Sequence, residues 1–197
     1  MNLLGHAFLS FDDDAVLCGN MMGDFIKGQK RLNALPEPIR KGAVLHRKID
    51  DFTDHHPAIM KAKNIFRADY RLYSGPIMDI ILDHYLANDP KFFPSENALK
   101  DYASGLYGRL KKNAPYQPEG FQKLLSFLEA HKVIYRYRTP NGLKIALENL
   151  CKRMKYSQDP EPAWQNTMRY YYELNQYYFD FIEDIYSFAK KELKEMS

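Results

Sequence analysis

The chain lacks any apolar run close to the ~20 residues that a membrane-spanning helix needs, so no membrane insertion is expected. Its first apolar stretch has no positive segment ahead of it and runs into Asp12-Asp13-Asp14, unlike a secretory leader. Cysteine is scarce. Cys18 and Cys151 are far apart and without metal-ligand spacing, which leaves no disulfide framework and reads as two reduced core residues. Together these absences predict a cytoplasmic protein. Excess charge is missing as well: a net charge of +3 is too small to argue for nucleic acid as a partner. Strand-like alternation is also scarce, and helical period dominates. With 45% apolar and 27% charged residues the composition is that of a globular chain rather than a disordered one. No repeat, low-complexity run or long linker divides its 197 residues, so a single all-α domain over 1–197, a helical bundle, is expected.

The helical period predicts elements over Ala15–Lys27, ended by Gly28, and over Pro38–Asp50. Pro57 suits the first turn of a third helix reaching about Tyr73, and Pro76 that of a fourth carrying Ile77, Ile80, Ile81 and Leu82. Two more are expected between Ser95 and Lys132, and another opens at Pro140-Asn141. Glu161–Glu195 reads as one long final helix, continuous or broken, whose many tyrosines and phenylalanines form a packing stripe.

What is abundant is histidine beside aspartate. Five of the six histidines fall within the first 84 residues, and the blocks Gly19–Phe25, Leu45–Asp54 and Asp79–His84 each carry acids. Imidazole and carboxylate are the usual ligands of divalent ions that hydrolyse phosphate esters. Residues four apart on a helix share a face, so His46 projects with Asp50 and Asp79 with Asp83. His84 is turned about 100° from Asp83 and can approach the same ion from an adjacent direction. Carboxylates on so apolar a helix need compensation, from a metal ion or from Arg47. Asp54 is placed either to cap the helix at Pro57 or to serve the site. His55 and His56 point different ways, and His131 stands alone. Basic residues gather at Lys61, Lys63, Arg67 and Arg71, and again at Arg109, Lys111 and Lys112. They form either solvated helix faces or a docking surface for an acidic partner.

Four ordered motifs carry a resemblance: Met1-Asn2-x-Leu4-x-His6; Gly19-Asn20 with Asp24-Phe25 and Gly28; His46-Arg47-x-Ile49-Asp50 with Thr53-Asp54 and Pro57; and Asp79 with Asp83-His84-x-Leu86. The pattern resembles the acyl carrier protein phosphodiesterase family, a distant relative of the HD-type metal phosphohydrolases. The likeness is dense over about residues 1–90 and scattered afterwards. It implies an all-α, HD-domain-like fold and removal of the 4′-phosphopantetheine arm from holo-acyl carrier protein, with manganese or magnesium as the ion. The family's essential aspartate maps to Asp24. Many members carry a second histidine two positions after the first; here Phe8 stands there and supplies no ligand. The resemblance implies Asp24, His46, Asp83 and His84 as metal ligands. It places His6, Arg47, Asp50, Asp54 and Asp79 around the reaction, Arg47 as the cation suited to phosphate oxygens. The second group of carboxylates would orient water or a histidine. An acyl carrier protein is acidic and would meet the two basic groups. Two alternatives remain open: an HD-type phosphohydrolase of nucleotides or other small phosphoesters, and a non-catalytic helical interaction protein with a structural metal site.

Overall fold

The computed structural model describes residues 1–155 and 158–196, and every regular element among them is helical. In chain order these are α1 (Leu3–Phe8), α2 (Asp14–Met21), α3 (Gln29–Asn33), α4 (Glu37–His55), α5 (Pro57–Tyr70) and α6 (Ser74–Asn88). There follow α7 (Glu96–Lys111), α8 (Glu119–Ala130), α9 (Val133–Arg136), α10 (Pro140–Arg153), α11 (Glu161–Arg169) and α12 (Tyr171–Glu195). One cluster of buried apolar side chains runs through them. Each fully buried Phe66, Phe121 or Phe181 contributes about 1.5–3 kcal/mol to holding the helices together.

The helix predicted over Ala15–Lys27 is shorter than expected. Asp13 accepts from the Ala15 and Val16 amides to start α2, which stops at Met21 before a 3-10 turn over Gly23–Phe25. Asp54 does not cap α5; the His56 side chain accepts from the Ala58 amide, and Asp54 instead pairs with Lys63. The final helical stretch breaks at Tyr170. The break sets Tyr171 against α6, where its carbonyl accepts from the Tyr85 hydroxyl at 2.6 Å. Along α12, Tyr178 and Phe181 are buried, and Phe188 stacks on Phe52 of α4 with ring centroids 4.4 Å apart.

Two packing features position the site. The first is the crossing of α2 and α4, where backbone meets backbone at two glycines. A Cβ on Gly19 would lie 1.9 Å from the Ile39 carbonyl oxygen, and one on Gly42 would lie 2.1 Å from that of Val16. The second is the attachment of α1 to α6. Asp83 is wholly buried and accepts from the amides of Leu4 (2.8 Å), Gly5 (3.0 Å) and Asn2 (3.3 Å). It satisfies orphan donors at the start of α1 that the N-cap residue Asn2 leaves open. One turn earlier, Asp79 pairs with the Met1 ammonium at 2.8 Å. The acids on apolar α6 are therefore compensated by amides and an ammonium, not by Arg47, whose guanidinium donates to the Ile26 carbonyl at 3.0 Å.

Candidate metal centre

A cleft of about 370 Å³ opens where α1, α4, α6 and α10 converge with the Gly23–Phe25 turn. His6, Asp24, His46, Asp50, Asp54 and Asp79 all line it; Arg47, Asp83 and His84 do not. At its floor the His6 and His46 rings stack with centroids 4.1 Å apart. His6 Nε2 lies 3.1 Å from Asp50 Oδ1, and His46 Nε2 lies 3.2 Å from Asp50 Oδ2 and 3.4 Å from Asp24 Oδ1. One ligand atom from each of His6, His46 and Asp50 falls within 4.8 Å of the others, the spacing of a shared cation. His46 and Asp50 project together because they are one turn apart on α4. Gly23 lets the turn that bears Asp24 close over the imidazole, since a Cβ there would sit 2.2 Å from His46 Cγ.

The hydrogen bonds behind His6 decide its chemistry. Asn20 is completely buried on α2. Its Nδ2 donates to the His6 carbonyl oxygen (2.8 Å) and to Ser10 Oγ (2.9 Å). A carbonyl only accepts, so the atom facing it is the amide nitrogen, and Asn20 Oδ1 is the atom 2.9 Å from His6 Nδ1. Nδ1 then carries the ring hydrogen and Nε2 the lone pair. Burial, seconded by the neighbouring His46, pushes the His6 imidazole down to about 4. At neutral pH the ring is therefore uncharged, with its lone pair turned on a carboxylate oxygen 3.1 Å away. Two electron-rich atoms so close repel unless a proton or a metal cation lies between them, and the His6–His46–Asp50 donor set could hold a metal cation.

His46 moves the other way. Burial alone lowers it, but its hydrogen bond to Asp24 and the charge of Asp50 outweigh that and raise it. Its Nδ1 is buried with no hydrogen-bond partner among the described residues. The hydrogen bond to His46 holds Asp24 below the ordinary carboxylate range, although the Asp24 side chain is 86% exposed at the rim. Burial works upward on Asp50, and the two rings beside it more than offset that, leaving it depressed. Solvent reaches the cluster along the Asp24–Asp50 edge.

The other expected residues lie as follows. Burial pushes the Asp83 carboxyl up to about 7, against the three amides that draw it down, and both its oxygens face α1. His84 has both nitrogens engaged: Nδ1 donates to the Tyr137 carbonyl (2.7 Å) and Nε2 accepts from the Tyr171 hydroxyl (2.8 Å). Of the basic groups, Lys61, Arg67 and Arg71 are exposed along α5 and just beyond it, whereas Lys63 is buried against Asp54. Arg109 and Lys112 clasp Asp14 of α2, and Lys111 pairs with Glu129. Sequence reasoning missed Ser10 and Asn20 as the support of His6, and Arg153 as a lining residue. Asn20 had a signal, its place in the Gly19-Asn20 motif; Arg153 had none.

In an all-α protein, a cleft whose two imidazoles and carboxylate could hold a metal ion is the kind of site that helical metal hydrolases have. The comparisons narrow that class: the family model for acyl carrier protein phosphodiesterase matches residues 1–185, and the chain belongs to that family. It is similar to the acyl carrier protein phosphodiesterase of Yersinia pestis, 30% identical over 153 residues that cover 78% of this chain and 79% of the relative. The Photorhabdus laumondii protein of the same name is 28% identical over 99% of this chain and 97% of the relative. That of Pectobacterium atrosepticum is 26% identical over 96% and 98%. No solved structure matches the chain.

Proposed function

We propose that this chain hydrolyses the phosphodiester joining 4′-phosphopantetheine to the serine of holo-acyl carrier protein, releasing the apo-protein and the free arm. The observation that carries the reading is the His6 lone pair opposed to Asp50 at the floor of a solvent-open cleft. His6, His46 and Asp50 would hold the ion, and Asp24 completes the set from the rim. When bound, the divalent ion supplies charge for the phosphoryl oxygens and acidity for a water. The carboxylates suit manganese or magnesium, the ions that the family resemblance implies, whereas the two imidazoles would also suit zinc or iron. The chain's own part is to keep His6 neutral through Asn20, to fix His46 between two acids, and to admit water past Asp24. Asp54 and Asp79 lie on the same cleft as carboxylates able to orient that water, although each already faces a cation, Lys63 and the Met1 ammonium. Asp83 and His84 stand outside the ion's reach in this reading, with their polar atoms given to the attachment of α1 and α12. Exposed Lys61, Arg67 and Arg71 would receive the acidic substrate in the cytoplasm.

Among the described residues the cleft lining includes no Phe, Tyr or Trp, the rings on which a nucleobase most readily stacks, and its two imidazoles stack on each other. That favours the flexible arm over a nucleotide. The test is incubation with manganese and holo-carrier protein, alongside a nucleotide panel, following loss of the arm by mass. Asp24→Ala should lose most of the activity. Wild-type turnover in that variant would count against the mechanism, and hydrolysis confined to nucleotides would replace the substrate.

A further inference from the structure

The cleft is acidic. Asp24, Asp50, Asp54 and Asp79 all face a substrate whose reacting group is itself an anion. An ion held at the His6–His46–Asp50 floor would answer part of that repulsion, but the phosphodiester also needs a partner on its far side. Arg47, the arginine in the histidine motif, donates to the Ile26 carbonyl and lines no part of the cleft. Among the described residues the lysine and arginine side chains contribute one member to the lining, Arg153 at the end of α10. Its Nε donates to the Asn149 carbonyl at 3.1 Å, one turn back, which anchors the guanidinium. It forms no ion pair with any described carboxylate, so its two terminal nitrogens are available. Leu150, one turn earlier on the same helix, lines the cleft beside it.

We infer that Arg153 is the phosphate-recognising residue of this chain: its terminal guanidinium nitrogens hydrogen-bond the non-bridging oxygens of a phosphate mono- or diester seated over the histidine–aspartate floor. A planar fork matches two such oxygens, which an ammonium cannot do. The guanidinium is separated from the floor residues by at least 103 positions in sequence, so it meets them only through the docking of α10 on α6. The inference rests on the proposed function and sharpens it.

The experiment compares wild type, Arg153→Ala and Arg153→Lys. Manganese affinity is measured by calorimetry, inorganic phosphate affinity of the manganese-loaded protein by phosphorus NMR relaxation, and hydrolysis of holo-carrier protein as KM and kcat. Manganese binding should stay within about twofold of wild type in both variants, since Arg153 holds no ion. Phosphate should bind about 10- to 100-fold more weakly to Arg153→Ala, the loss expected for a charge-assisted hydrogen bond. Arg153→Lys should lie between. An Arg153→Ala protein that binds phosphate as wild type does, while wild type binds manganese and cleaves the carrier protein, overturns the inference alone. A wild type that neither binds manganese nor cleaves overturns the proposed function, and this inference falls with it.

Discussion

His6 should be the most acid-sensitive point of the metal-free protein. In the unfolded chain it takes up a proton near 6.5, while in the fold it does so only at about 4. A base whose folded pKa is depressed binds fewer protons when native, so stability is lost as pH falls through the window from 6.5 to 4 and is fully present above it. The difference of about 2.5 units corresponds to about 3 kcal/mol, a large share of the ~5–15 kcal/mol typical of a domain. The side chain is almost entirely buried, so solvent screening does little to reduce this. Urea unfolding of the metal-free protein at steps from pH 7 to pH 4 measures it. The same series on His6→Asn should lack that part of the decline, and proton NMR should place the His6 midpoint about 2.5 units below a free imidazole. His46 provides the internal contrast, because its raised value adds stability below 6.5 that fades as pH climbs through its folded pKa. If His6 titrates near 6.5, or if His6→Asn leaves the acid limb unchanged, the account of a neutral ring facing Asp50 is wrong.

Other substitutions probe the supports. Asn20→Ala strips His6 Nδ1 of its acceptor and removes one of two donors to the His6 carbonyl, which keeps the Ser10 hydroxyl at 2.7 Å. It should cost about 1–3 kcal/mol in urea unfolding and weaken manganese binding about 10- to 100-fold in calorimetry. Gly23→Ala pushes a methyl to within 2.2 Å of His46 Cγ; manganese affinity should fall further than melting temperature, and equal losses would mean the ring simply swings aside. Gly19→Ala, in contrast, meets a carbonyl at 1.9 Å rather than a movable ring. It should destabilise by more than the ~1–3 kcal/mol usual for overpacking, as thermal unfolding would report. Asp83→Ala leaves three amides of α1 without an acceptor and should cost at least ~3 kcal/mol. If its chief effect is instead on manganese binding, with stability intact, Asp83 belongs with the ligands.

The helical character was open to reading because long amphipathic elements such as α4 and α5 repeat their apolar residues at 3.6-residue spacing. Short pieces were not: α1, α3 and α9 span six, five and four residues, too few for a period to show. Within the site, His46 and Asp50 were visible as a pair since one helix dictates their shared face. His6 and Asp24 needed the resemblance, because nothing local ties a residue of α1 to a turn after α2. Asp79 and Asp83 were visible as sharing a face but not in what that face does. A carboxylate that caps a distant helix and one that binds an ion look alike in sequence, and only the position of α1 separates them. Arg153 had no such signal at all, since a basic residue in the last turn of a helix is ordinary.

Where α2 and α4 touch without side chains between them, neither rod can rock against the other without driving a carbonyl into an α-carbon. Asn20 and the turn bearing Asp24 ride on one rod, and His46 and Asp50 on its mate, so the crossing itself fixes how these groups face one another. Leu150 and Arg153 stand on α10, whose own close approach is elsewhere: a Cβ on Gly142 would lie 1.9 Å from the Arg136 carbonyl oxygen. The α2–α4 pair is thus a fixed anvil under the cleft.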